Sequence, residues 1–152
     1  MTQRRSVLVA GSANADLVVR APVIPARGET VLGRDFVIHP GGKGANQAVA
    51  SARAGGVETR MLVALGDDPW AGLLERSLQD AGVRAAIVRH PTVATGVALI
   101  CVADDAENAI VVAPGANATL TAEALRPLLQ DDTVGVLLLQ LETPLAAVLE
   151  MA

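Results

Sequence analysis

The sequence predicts an α/β fold in which a parallel, doubly wound sheet carries a smaller β-sheet at one end. Three observations predict it. Short, almost wholly apolar runs at residues 7–10, 61–66 and 134–141 read as strands covered on both faces. They alternate with helical stretches, the pattern of a parallel sheet wrapped by helices. The β-rich segments at 17–39 and 95–113 fit poorly into that alternation, and supply four strands for a flap standing off the sheet.

The elements follow in chain order. Val7 to Ala10 ends in Gly11 as a buried strand, with Asn14 and Asp16 after it. Residues 17–20 and 30–39 are rich in Val and Ile and read as small antiparallel strands, separated by the helix breakers Pro22, Pro25 and Gly28. A helix opens near Gly42 to Gly44 and stops at Gly55-Gly56. After the strand at 61–66, Asp67 or Asp68 caps a helix with Pro69 at its first position. Trp70, Leu73, Leu74, Leu78 and Ala81 share one face of that helix, and Gly82 closes it. Residues 95–103 and 109–113 flank a polar turn as a hairpin. A helix from Thr121 is interrupted or bent at Pro127, and Thr143-Pro144 opens another after the last strand. That strand is composed like the interior of a sheet, yet little chain follows it, so the sequence reads as part of something longer.

Composition bounds the function. The 152 residues are 51% apolar and 18% charged, one domain's worth of folding chain. A net charge of −4 offers no basic stripe for nucleic acid. Arg4-Arg5 suggests an export signal, but the apolar run after it spans only 7–10, short of the roughly 7–15 residues such signals need. No stretch approaches a membrane span. The lone cysteine, Cys101, excludes an internal disulfide and suits a reducing cytoplasm; it reads as a small buried hydrophobe.

In open α/β sheets ligands collect at the carboxyl ends of strands and the amino ends of helices. Asn14 and Asp16, the segment from Gly41 to Asn46, and Glu142 occupy such ends. Asp16 can accept from two vicinal hydroxyls, Asn14 and Asn46 offer donors and acceptors, and the glycines admit backbone N–H groups to a ligand. A hydroxyl-rich small molecule suits that inventory. Taken singly, Asn14 and Asp16 also read as turn caps, and Glu142 as a first-turn charge. Lys43 opposes the dipole at a helix amino end, which points to an anionic neighbour. Gly41-Gly42-Lys43-Gly44 lacks the spacing of a P-loop, and Gly11-Ser12-Ala13-Asn14 lacks the glycines of a dinucleotide fingerprint. His39 and His90 stand apart, without metal-ligand spacing.

These segments resemble ribokinases, of the PfkB carbohydrate-kinase family. The matches are Gly11-Ser12-Ala13-Asn14-Ala15-Asp16, Gly28-Glu29-Thr30, Gly41-Gly42-Lys43-Gly44-Ala45-Asn46-Gln47-Ala48, Gly66-Asp67-Asp68, Thr95-Gly96-Val97-Ala98-Leu99-Ile100, Gly115-Ala116-Asn117 and Gln140-Leu141-Glu142, in family order. The resemblance implies a Rossmann-like core with a β-sheet lid that also forms a homodimer contact. It implies that Asn14, Asp16, Gly42, Lys43, Asn46 and Glu142 bind ribose or a similar sugar. It implies also that in the complete enzyme ATP, with Mg2+ and K+, phosphorylates the 5-hydroxyl. The family's D-T-x-G-A-G-D segment, carrying the catalytic base, is not among these residues. The chain therefore reads as an N-terminal half, with lid strands within 17–39 and 95–113, no catalytic or metal residue of its own, and a missing C-terminal half as partner. A non-catalytic sugar- or nucleoside-binding or dimerisation module, or a kinase for another sugar, remains the alternative.

Overall fold

The computed structural model describes residues 5–152; residues 1–4, and with them the first arginine of Arg4-Arg5, lie outside the described residues. The main sheet comprises β1 (Ser6–Ala10), β4 (Thr59–Gly66), β5 (Arg84–His90) and β8 (Val134–Leu139), all parallel, in the order β5-β4-β1-β8. The small sheet comprises β2 (Asn14–Arg20), β3 (Phe36–Gly41), β6 (Gly96–Val102) and β7 (Asn108–Ala113), in the order β3-β2-β6-β7. The α/β class expected from the sequence is the one found.

Helices cover both faces of the main sheet. On one side α1 (Lys43–Ala54) and α2 (Pro69–Asp80) bring Ala45, Ala48, Ala71, Leu74 and Leu78 against Val9, Met61, Val63 and Leu65. On the other, α3 (Ala122–Leu129), α4 (Leu145–Met151) and a 3-10 turn (Gly115–Thr119) bring Leu120, Leu125, Val148 and Met151 against Leu8, Leu62 and Ala64. Small alanines on α1 let its axis lie close to the sheet. Each fully buried Leu or Val contributes about 1.5–3 kcal/mol.

Several expectations need correction. Residues 84–90 form a strand that the sequence did not suggest, because Ala85-Ala86 favour strand only weakly; pairing along all of β5 with β4 fixes them. The strand expected from residue 30 begins at Phe36. The alternative that Asn14 and Asp16 cap a turn does not hold, since both lie in β2. The small sheet is mixed rather than antiparallel, since β2 and β6 run parallel while β2–β3 and β6–β7 are hairpin-like pairs. Pro127 does not interrupt α3, which continues to Leu129; lacking an N–H, it leaves out the one bond that would reach the Glu123 carbonyl, and buried Leu125 anchors the helix. Cys101 is only half-buried. Finally, β8 ends at Leu139 rather than Leu141; as expected of it, it forms an edge of the sheet and contacts both cores, Leu137 one and Leu138 the other, while Val136 remains half exposed.

The two edges of the main sheet differ in chemistry. β5 carries Arg84 and Arg89, paired with Glu58 and Glu75, and charge on an edge strand discourages pairing with other chains. β8 reads Val134-Gly135-Val136-Leu137-Leu138-Leu139, with no charge and one hydrogen-bonded neighbour, β1. We expect the purified chain to self-associate through this edge and Val136→Lys to shift it toward monomer in sedimentation velocity. A chain that is already monomeric at high concentration would contradict this.

Asp68 joins the two sheets. Its Oδ1 accepts the Ala71 N–H at 3.0 Å, capping α2, and its Oδ2 accepts the Thr95 N–H at 2.7 Å, fixing the entry to β6. Burial alone would raise its pKa, but the N–H groups of Thr95, Ala71 and Trp70 and the Thr95 hydroxyl outweigh that and hold it below the ordinary value. Asp68→Ala should therefore cost about 2–4 kcal/mol at pH 7, from a lost cap and an orphaned buried N–H. Because the folded pKa is depressed, this stability is present above the unfolded pKa of about 3.9 and lost as pH falls through the folded value. Denaturant melts should show the gap between wild type and variant narrowing in acid.

Candidate functional site

The chain switches sides of the main sheet between β1 and β8, since β4 and β5 lie to one side of β1 and β8 to the other. Such a point leaves a crevice at the strands' carboxyl ends. Three segments meet there. The turn after β1 carries Ser12 and leads into β2; β3 delivers Gly41 and Gly42 to the start of α1; and Glu142 follows β8.

Glu142 binds these segments together. Its Oε2 accepts from the Ser12 hydroxyl at 2.7 Å and from the Lys43 N–H at 3.0 Å, and its Oε1 pairs with Lys43 Nζ. Ser12 Oγ in turn accepts the Gly44 N–H at 3.2 Å. The amino end of α1, whose Gly42 offers no side-chain cap, is thus satisfied from β1 and β8. This answers the question raised by Lys43: the anion beside it is Glu142. The helix favoured by that charge is α1, not the one that follows Glu142 in sequence. Burial on its own would raise the Glu142 pKa, but the Lys43 ammonium and N–H, with the Ser12 hydroxyl, hold it below the ordinary carboxylate value.

Gly42 has φ 90°, and a Cβ there would lie 2.7 Å from Ala13 Cα and 2.8 Å from Asn14 N. Only glycine lets α1 begin this close to β2. Gly41 acts likewise on its neighbour: a Cβ would stand 2.1 Å from Asp16 Oδ2, so the bare backbone makes room for that carboxylate.

All six residues singled out from the sequence, Asn14, Asp16, Gly42, Lys43, Asn46 and Glu142, line one cavity of about 170 Å³. That is smaller than the roughly 300–1,000 Å³ of pockets for drug-sized ligands. Ala98 and Ile100 of β6 and Ile110 and Val112 of β7 form its apolar wall. A larger adjoining cleft of about 420 Å³ shares Asn14, Val112 and Glu142 but is otherwise mostly apolar. The sequence reading missed that wall, because which face a hairpin residue takes is fixed only by register. It also left Asn117 and Ser12 out of the site, although both stand in segments quoted for the resemblance.

Asp16 is chemically distinct. Among the described residues no donor is hydrogen-bonded to its carboxylate, although it is only partly exposed. Burial, then the charge of Glu142, raise its pKa; His39 and Lys43 offset part of this. No cluster of three or more His, Cys, Asp or Glu among the described residues is placed to hold a metal. His39 is exposed at the end of β3, and His90 contacts the Thr119 hydroxyl at 2.6 Å. No described helix is long and apolar enough to cross a membrane.

Residues 4–151 match the family model described as pfkB family carbohydrate kinase. The chain belongs to that family. Among PfkB relatives, the ribokinase of Bacillus subtilis (strain 168) is 43% identical over 142 residues, covering 92% of this chain and 48% of the relative. The crystal structure of ribokinase from Thermotoga maritima superposes with a TM-score of 0.85 at 34% identity, covering 96% of this chain and 48% of that one. Arabidopsis thaliana ribokinase complexed with ribose and ATP gives 0.77 at 29% identity, covering 97% and 49%. The chain thus spans about half the length of the PfkB relatives it matches.

The raised Asp16 pKa gives a test independent of any ligand. A carboxyl whose folded pKa is raised costs stability when ionised, so the penalty is absent below about pH 3.9 and grows as pH rises through the folded value. Asp16→Asn should raise the thermal midpoint at pH 7 and give no gain at pH 3. A midpoint unchanged or lowered at pH 7 would refute this electrostatic account.

Proposed function

We propose that this chain is the sugar-binding half of a ribokinase-type enzyme, one that transfers the γ-phosphoryl group of ATP to the 5-hydroxyl of D-ribose. The observation that carries the reading is Asp16, a carboxylate with no donor among the described residues, on the wall of a small cavity shared with Asn14, Gly42, Lys43, Asn46 and Glu142. Two vicinal hydroxyls donating to Asp16 would supply the missing hydrogen bonds. Lys43 Nζ keeps donors beyond the one directed at Glu142, and Asn46 offers both kinds of partner. The apolar wall of Ile100, Ile110 and Val112 suits the carbon face of a furanose and would exclude water.

The reading assigns no catalytic base to these residues and puts the sites of ATP, Mg2+ and K+ on the rest of the enzyme. The absence of a D-T-x-G-A-G-D segment from the sequence supports this. So does the pairing of Lys43, the cavity's lysine, with Glu142. The outer face of the small sheet exposes Phe36, Leu99 and Val111, which supports a homodimer formed through it. A reducing, cytoplasmic setting accords with the lone half-buried cysteine.

Calorimetry should show ribose binding to the 152-residue chain, weakened tenfold or more by Asp16→Ala, the scale of one charge-assisted hydrogen bond. The chain alone should not phosphorylate ribose with ATP. Mixing it with the separately expressed C-terminal half of the Bacillus subtilis ribokinase should restore turnover. Ribose binding without any rescue would favour a non-catalytic module, and binding of a different sugar in preference to ribose would reassign the substrate within the family. Absence of binding to any pentose would defeat the proposal.

A further inference from the structure

Asn117 lies in the 3-10 turn, more than a hundred residues from Asn14, and is 2% exposed. Its Oδ1 accepts the Ala13 N–H at 3.0 Å, while its Nδ2 donates to the Ala13 carbonyl at 3.1 Å and to Asn14 Oδ1 at 2.8 Å. The peptide of Ala13 decides which way this amide faces. A backbone N–H must meet an oxygen and a backbone carbonyl must meet an N–H, so the Asn117 amide admits one orientation. The atom of Asn14 that meets Asn117 Nδ2 is therefore an acceptor, its Oδ1. Asn14 Nδ2, on a side chain that lines the cavity, is left with no partner among the described residues.

We propose that Asn117 is a positioning residue that fixes the polarity of Asn14, so that the site presents an amide donor there and selects a ligand oxygen with a free lone pair. This rests on the sugar-binding reading given above. Without Asn117, Asn14 can turn either way and recognise a donor as readily as an acceptor. With it, the cavity is asymmetric: Asp16 takes hydroxyl protons, and Asn14 gives one. Gly96 allows the arrangement, since a Cβ there would stand 2.2 Å from Asn117 Nδ2 and 2.3 Å from Asn14 Oδ1.

The orientation can be read without sugar, from side-chain amide resonances of 15N-labelled wild-type chain, assigned by their loss in Asn14→Ala and Asn117→Ala. The Asn117 NH2 protons should exchange slowly with water and the Asn14 protons quickly; the reverse order overturns the proposal. In Asn117→Asp the Ala13 N–H keeps its acceptor, but Asn14 meets a carboxylate and must turn. Its NH2 protons should then move downfield and become protected. Unchanged Asn14 resonances in a folded Asn117→Asp would overturn the proposal.

Ribose affinity supplies a second readout. Asn14→Ala and Asn117→Asp should each weaken binding about tenfold, and the double variant should be no worse than Asn14→Ala within twofold. Additive losses would show that Asn117 acts other than through Asn14. Wild type that shows the expected exchange order yet binds no sugar would defeat the sugar reading and leave the fixed polarity of Asn14 standing.

Discussion

The contact on which the site depends is the carboxylate of Glu142 at the amino end of α1. Helix starts leave N–H groups without partners, and α1 begins at a glycine that supplies no capping side chain. Glu142 and Ser12 fill that need from two neighbouring strands. One partly exposed cluster therefore fixes the helix, the turn after β1 and the end of β8 relative to one another. Lys43 then sits where a cation would otherwise be disfavoured, because its counter-charge is already present. Remove the carboxylate, and the helix dipole, the lysine and the serine would each lose a partner.

The same economy produces the contrast between the two acids. Glu142 and Asp16 line one cavity, yet their pKa values move in opposite directions. Glu142 is surrounded by donors and stays ionised. Asp16 is partly desolvated, near a like charge, and accepts no hydrogen bond from the described residues. A carboxylate kept in that state at a cost to folding is expected where a ligand, rather than the protein, completes its hydrogen bonds.

Much of this was legible in the sequence, for identifiable reasons. Asn14, Asp16 and the segment from Gly41 to Asn46 are polar or conformationally permissive residues at the ends of apolar runs, and chain order alone suggests that such ends converge. The strand at 84–90 was not legible, because Arg84-Ala85-Ala86 has no clear alternation and takes its form from β4. Nor was the part played by Asn117. Local sequence makes it an ordinary turn residue after Gly115, and its partners, Ala13 and Asn14, lie just before and at the start of a strand from the other end of the chain. The inward facing of Ile100, Ile110 and Val112 depends on register between β2, β6 and β7, which no single segment encodes. Glu142 was found as a candidate, but the helix it caps was not, since that helix is remote in sequence.

The strand β2 begins at Asn14, within the site itself, and pairs along its length with β3 and β6. Asn14 and Asp16 thus ride on the small sheet, while Lys43 and Glu142 are fastened to the large one. A molecule held by both pairs would act as a latch between the two. Occupancy and the placement of the two sheets would then be linked: whatever pried the small sheet away would loosen such a molecule, and whatever tightened its hold would stiffen the sheet.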